Sequence, residues 1–302
     1  MKVFVTGATG FVGQEIVRQL HQTGYSVRML ARNKRAEETR ERTGAEIHVG
    51  NILDADSLRG ALKEIDAVIH LVGIISEVRE STFENVHVRG THNIVAAAQQ
   101  QEVKRFIHMS ALGTRPNAVS RYHGTKWEAE EIVRGSRLDC TIFRPSLIFG
   151  PRDMFVNLFA KIIRFSPVVP ILGRRDAKFQ PVAIETVAGA FVKSLTEVQA
   201  IGQAFDLAGP ETFTMSEIID QILAVMKRKR MKVHVPAAVA RIQAGFMEFL
   251  FPKILRKAAP LNGDQLIMLQ EDNVGNAQPA NELFGLRPVP LREGIGKYLG
   301  GR

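Results

Sequence analysis

The run Thr6-Gly7-Ala8-Thr9-Gly10-Phe11-Val12-Gly13 decides the fold. It follows the apolar stretch Val3-Phe4-Val5 and opens Phe11–Gln22, where apolar residues repeat at helical spacing until Gly24. A strand, a tight turn and a helix are expected in that order, with Gly24 past the helix end. The spacing GxxGxxG gives each glycine a task. Gly7 permits the turn, Gly10 leaves room for a pyrophosphate to approach the backbone, and Gly13 lets the helix pack closely on the strand. The helix start then offers free N–H groups and a partial positive charge to the phosphates. The strand–turn–helix setting is what separates this run from a chance glycine triplet.

Outward from the turn, apolar runs and helical segments alternate. Strands are expected at Lys2–Thr6, Ser26–Ala31, Glu46–Gly50, Ala67–Leu71, Lys104–Ser110 and Asp139–Arg144, with a seventh at Gln203–Ala208. Most are continuously apolar, as parallel strands buried on both faces must be. Helices are expected at Ser57–Leu62, Glu84–Gln101, His123–Gly135 and Phe155–Phe165, and at Ser216–Lys227 with Ser216 as N-cap. Such alternation implies a doubly wound, parallel α/β sheet of Rossmann type with helices on both faces. Its ligands bind beyond the carboxyl ends of the strands. The pattern weakens after Gly150. Residues 1–150 read as the nucleotide-binding core; 151–302 hold the rest of that core, about 181–209, and a small C-terminal lobe for substrate or partner.

Composition narrows the function classes. The chain has 302 residues, 45% apolar and 24% charged, which excludes wholesale disorder. Its single cysteine, Cys140, lies in an apolar strand and permits neither an internal disulfide nor a Cys-based zinc site. The eight histidines show no ligand spacing with carboxylates, so no metal site is expected. No targeting segment is visible, and no uncharged apolar run approaches the ~20 residues of a membrane span. The protein is expected in the cytoplasm. Its net charge of +9 suits an anionic lipid, an acidic partner or a phosphorylated cofactor. Nucleic acid is disfavoured because the charges are dispersed and no recognition module appears.

The residues after the second strand bear on cofactor choice. They read Arg28-Met29-Leu30-Ala31-Arg32-Asn33-Lys34-Arg35, with no acid before Glu37. A carboxylate there would hold a ribose 2′-hydroxyl, whereas a guanidinium grips a 2′-phosphate. NADP(H) is therefore the expected cofactor, Arg32 its specificity contact and NAD(H) the alternative; the bland reading is a set of solvated charges. Ser110 ends the fifth strand, and Tyr122 and Lys126 follow, four apart on one helix face. An ammonium beside a tyrosine is expected to lower the phenol's pKa, and the serine can orient a carbonyl. Together they would form a proton relay beside the cofactor.

These residues, with Phe143-Arg144-Pro145-Ser146 and Ile148-Phe149-Gly150-Pro151, resemble the short-chain dehydrogenase/reductase superfamily, in its extended or atypical, epimerase/dehydratase-like branch. Phe149-Gly150-Pro151-Arg152-Asp153-Met154-Phe155, Gln180-Pro181-Val182 and Phe205-Asp206-Leu207-Ala208-Gly209-Pro210 more narrowly resemble the nucleotide-binding accessory subunits of respiratory complex I (alpha-subcomplex subunit 9) and their bacterial relatives. The resemblance implies cofactor contacts from Gly7, Thr9, Gly10, Phe11, Val12, Asn51, Ile52, Leu71, Val72, Gly73, His87, Tyr122, Lys126, Pro145 and Ile148. Pro145 and the backbone after it would wall the nicotinamide. Asn51 stands where the branch commonly has Asp for the adenine amino group; its amide oxygen can accept the same bond. His87 stands where the branch often has Asn, and is expected to satisfy backbone rather than relay protons. The resemblance leaves two functions open: an oxidoreductase using Ser110, Tyr122 and Lys126 on an unidentified small molecule, or a subunit that holds nucleotide without turnover. A nucleotide-sugar epimerase or dehydratase is a weaker third. It also leaves open a peripheral contact with a membrane or respiratory complex. The cations of Lys227–Lys232 and the apolar segment Ile242–Leu255, followed by Arg256 and Lys257, are the features that such a contact would use. A solvated helix end and a core-packing lid helix are their plainer readings.

Overall fold

A computed structural model describes residues 1–32, 41, 44–251, 259 and 261–300. Asn33–Glu37, Lys253, Ile254, Leu255, Arg256 and Lys257, named above, lie outside the described residues. Seven parallel strands form the central sheet: β1 (Lys2–Thr6), β2 (Ser26–Ala31), β3 (Glu46–Val49), β4 (Ala67–His70), β5 (Arg105–Met109), β6 (Asp139–Pro145) and β7 (Ala204–Leu207). Their order is β7-β6-β5-β4-β1-β2-β3. The order reverses between β1 and β4, the switch point where such sheets leave a crevice for a ligand.

Helices α1 (Phe11–Gln22), α2 (Gly90–Gln100), α3 (Arg121–Arg134), α4 (Phe155–Phe165) and α5 (Ile184–Ser194) follow in chain order. Ile16, Val17 and Leu20 of α1 and Val187 and Phe191 of α5 close one face of the sheet over Val3, Val5 and Ile107. Ile94 and Val95 of α2 and Val133 of α3 close the other over Phe4, Val68 and Phe106. Each such side chain fully removed from water contributes about 1.5–3 kcal/mol. This two-sided burial explains why the strands are apolar throughout. Cys140 sits buried among them.

The lobe adds α6 (Met215–Val225), α7 (Ala237–Leu250), α8 (Gly263–Met268), α9 (Gln278–Leu283) and α10 (Leu291–Leu299). Phe159 and Ile163 of α4, Ile218 and Ile222 of α6, and Ile295 of α10 form its core. Several expected elements differ. Ser57–Leu62 is only a 3₁₀ turn at Asp56–Leu58, because Gly60 adopts φ +71° and ends it. Glu84–Arg89 is a π-helical turn feeding α2. α6 is capped by Thr214, not Ser216, with Glu217 completing the capping box. It stops at Val225, so the cations from Lys227 onward lie on a turn, an irregular link and the strand Met231–His234 rather than on a helix end. Near the C-terminus α10 buries Leu291, Ile295 and Leu299.

Candidate active site at the switch point

The glycine turn has the geometry its spacing implies. Gly7 sits at φ +74°, and a Cβ there would touch Leu71 and Val72, so the turn and the loop after β4 are packed together. A Cβ on Gly13 would lie 2.2 Å from the Gly7 carbonyl oxygen; helix and turn touch at that point. A Cβ on Gly10 would meet only the same oxygen, at 3.2 Å. Gly10 is the N-cap of α1 and no side chain caps it. The first N–H groups of α1 are thus left for an anion, as a pyrophosphate site requires. Gln14 donates to Thr9 O at 2.8 Å, and Arg152 is hydrogen-bonded to Gln14, which carries a guanidinium to the edge of the turn.

The adenosine end would lie toward β2 and β3. Arg32 directly follows β2, is exposed, and makes no ion pair among the described residues. Asn51 Oδ1 accepts from Leu53 N at 3.1 Å, which leaves that oxygen one further lone pair for an adenine amino group. Ile52 is buried against Gly90, so its side chain belongs to the core and only its backbone borders the crevice.

The nicotinamide end would lie past β4, β5 and β6. Ser120 caps α3, whose first two turns bring Tyr122 and Lys126 to the carboxyl edge of the sheet. Lys126 Nζ donates to Met109 O at 2.9 Å, and a Cβ on Gly73 would be 3.1 Å from the same nitrogen. The ammonium therefore sits between the ends of β4 and β5. Burial lowers its pKa to about 8, although Glu130 supports the charge. β2 and β5 are separated by β1 and β4, a span of about 14–15 Å at the usual strand spacing. Pro145 is buried and accepts from Leu112 N, and Ile148 begins the short strand beyond it.

His87 is placed as a structural residue. Ile74 N donates to its Nε2 at 3.1 Å, so Nδ1 carries the proton and donates to Thr125 Oγ1 at 2.9 Å. Burial and the Lys126 charge push its pKa down to about 2, which keeps it neutral. It tethers the loop after β4 to α3 and packs edge-on against the Tyr122 ring, 5.3 Å between centroids.

Two expectations need correction or detail. The Tyr122 phenol is not lowered: burial, and secondly the Asp264 carboxylate, push it up to about 12. The ammonium expected to counter this is turned to Met109. The Ser110 hydroxyl is buried; it reaches Thr114 Oγ1 at 3.3 Å and lies beside Glu130. Burial opposes Glu130's ionised form, yet hydrogen bonds from Arg144, Ser110 and Arg134 hold its pKa below the ordinary value. Trp127, itself on α3, has the Arg134 and Arg144 guanidinium groups against its ring.

The strap formed by residues 261–273 was missed. Asp264 accepts from Ser120 Oγ at 2.8 Å, Arg121 N at 2.7 Å and Tyr122 N at 3.1 Å. Asn262 donates to Ile75 O, and Glu271 pairs with Arg115. The lobe thereby clips onto the start of α3. The capping-box pattern Asn262…Gln265 signals a helix start in the sequence, but nothing there tells where the helix docks.

Residues 7–151 match a family described as NAD(P)H-binding. The chain is 30% identical over 298 residues to NADH dehydrogenase [ubiquinone] 1 alpha subcomplex subunit 9 of Rattus norvegicus, covering 95% of this chain and 76% of that one. It is 28% identical over 235 residues to the ceramide reductase of Caulobacter vibrioides, covering 78% of this chain and 73% of that one. It spans about two thirds of the length of several mitochondrial subunits that it matches. The UDP-glucose 4-epimerase of Thermotoga maritima shares the fold, with a TM-score of 0.78 at 21% identity over 99% of this chain and 98% of that one. The chain belongs to the NAD(P)H-binding family that includes the alpha subcomplex subunit 9 of mitochondrial NADH dehydrogenase.

Proposed function

We propose that the protein is an NADP(H)-dependent oxidoreductase that works in the reducing direction, with Tyr122 as proton donor. The observation that carries this reading is the phenol itself. It lies on the same helix face as Lys126, at the carboxyl edge, and is held protonated across the physiological range. A phenol that keeps its proton can still give it to a developing alkoxide, whose alcohol is a weaker acid than the phenol. NADPH, when bound, would supply the hydride. Gly7, Thr9, Gly10, Phe11 and Val12 would cradle its pyrophosphate, and Arg32 would meet the 2′-phosphate. Lys126 would hold the nicotinamide ribose. Ser110 would orient the substrate carbonyl once its hydroxyl turns from Glu130. Pro145 and Ile148 would wall the ring.

A second reading has an observation of its own. The relatives include subunits named for a respiratory NADH dehydrogenase. A subunit that only holds nucleotide would use the same cradle and the same lysine. The test is NADPH oxidation by wild type and Tyr122→Phe over a panel of aldehydes, ketones and quinones. The enzyme reading expects turnover that falls by ~10²-fold or more in the variant, with NADPH affinity little changed. Tight NADPH binding with no turnover on any panel member would establish the holding role instead.

A further inference from the structure

Helix α7 is built the wrong way round for a core-packing helix. The side chains it buries are Ala240 and Ala244, against Leu266 of α8. Its large ones face out: Ile242 is 75% exposed, Phe246 64%, and Val239 is exposed beside them. At 3.6 residues per turn these three fall within an arc of roughly 60°. A surface helix normally buries its large apolar side chains and exposes its small or polar ones. No described element covers this apolar stripe.

The occupant follows from area and charge. A helix of 14 residues is about 21 Å long and 10–12 Å wide, so one face offers about 250 Å². A stable protein interface needs about 800 Å² from each partner. A second copy would also bring another net charge of +9. An anionic surface of unlimited extent meets neither objection. The acid of α7, Glu248, is turned from the stripe and accepts from Gly263 N. Lys227, Arg228 and Lys229 stand exposed on the turn that leads, through the strand Met231–His234, into α7, and they form no ion pair among the described residues. On that strand Met231 and Val233 are exposed on alternate positions.

We infer that α7 docks the protein on an anionic lipid bilayer, with Val239, Ile242 and Phe246 set into the headgroup boundary and the Lys227–Lys229 turn against the headgroups. No helix among the described residues is long and apolar enough to cross a membrane, so the contact is with one leaflet. This inference is independent of the nucleotide site.

The test is co-sedimentation of the full chain with phosphatidylcholine vesicles and with vesicles carrying about a third phosphatidylglycerol, at low and high salt. Wild type should bind the anionic vesicles, more weakly in salt. Ile242→Ser/Phe246→Ser should lose at least ~10-fold in affinity while its melting temperature stays near that of wild type. Should the double variant fold poorly, Phe246→Trp answers the question alone. Its difference fluorescence from wild type should shift to the blue and be quenched by brominated lipid. Equal sedimentation of wild type and double variant, or an unquenched tryptophan at 246, would overturn the inference. So would a concentration-dependent dimer that the double variant abolishes, since the face would then be a self-interface.

Discussion

Gly10 and Gly13 are three residues apart in one turn, yet the structure separates their roles, and a pair of substitutions should expose the difference. A side chain at Gly13 meets backbone: its Cβ would lie 2.2 Å from Gly7 O and 2.7 Å from Ala8 Cα. That is about 1 Å inside normal contact, and overpacking of this kind costs about 1–3 kcal/mol or more. Gly13→Ala should therefore lower the melting temperature without any nucleotide present, by about 2–4 °C per kcal/mol. A side chain at Gly10 meets only Gly7 O at 3.2 Å, and the φ of −76° suits any residue. Gly10→Val should melt near wild type. What it should lose is the response to ligand. NADPH at about 100 times its Kd stabilises a protein by about 2.7 kcal/mol. Wild type should then gain about 5–10 °C. The valine should remove that gain by standing where the pyrophosphate approaches. The assay is a melting curve of each protein with and without NADPH. A wild-type ligand shift in Gly10→Val would refute the cradle, and an unperturbed Gly13→Ala would refute the packing argument.

Arg32→Ala should narrow the preference for NADPH over NADH by about tenfold or more, the scale of one charge-assisted contact; equal affinities in wild type at low salt would count against the assignment. Asp264→Asn should weaken the clip between the lobe and α3 by about 1–3 kcal/mol and lower the pH at which Tyr122 titrates, since the carboxylate helps hold the phenol up; an unchanged absorbance titration would refute that coupling. Lys126 titrates near 8 when folded against 10.5 unfolded. Between those values the unfolded chain binds more protons, so this group makes stability rise with pH there. Denaturant midpoints of wild type should rise relative to Lys126→Met over that window, and parallel curves would contradict the burial of the ammonium.

The core was legible because its signals are local and redundant. Each buried strand announces itself by a short apolar run, and the glycine turn adds a backbone constraint that few other structures require. Right-handed crossovers then place helices on both faces, while the order of the strands is known only from the structure. Ser57–Leu62 misled because apolar spacing there outweighed Gly60, whose positive φ ends the turn. The α7 stripe misled differently. Apolar residues at helical spacing imply burial against the chain's own core, and nothing in the spacing says that alanines take the inner side instead. Asp264 was invisible for a third reason. Its partners are the Ser120 hydroxyl and the backbone N–H groups of residues 121 and 122, more than 140 positions away, and no local pattern in a sequence reports so distant a contact.

That missed contact changes the chemistry expected of the legible residues. The first turn of α3 carries unpaired N–H groups and a partial positive charge that would favour a phenolate at Tyr122. Asp264 takes two of those N–H groups and the Ser120 hydroxyl, and sets a negative charge where the helix would have offered a positive one. Lys126, the other cation within reach along the helix, points to Met109 O instead. Burial and the Asp264 charge therefore keep the phenol protonated. That leaves a proton in place for delivery to a developing alkoxide, and it makes the phenol a weaker acid than a free tyrosine. A protein that merely stores nucleotide needs neither outcome. Burial first and the Asp264 strap second thus set the protonated state in which Tyr122 would meet a substrate, and a reductase is the reading in which that proton is used.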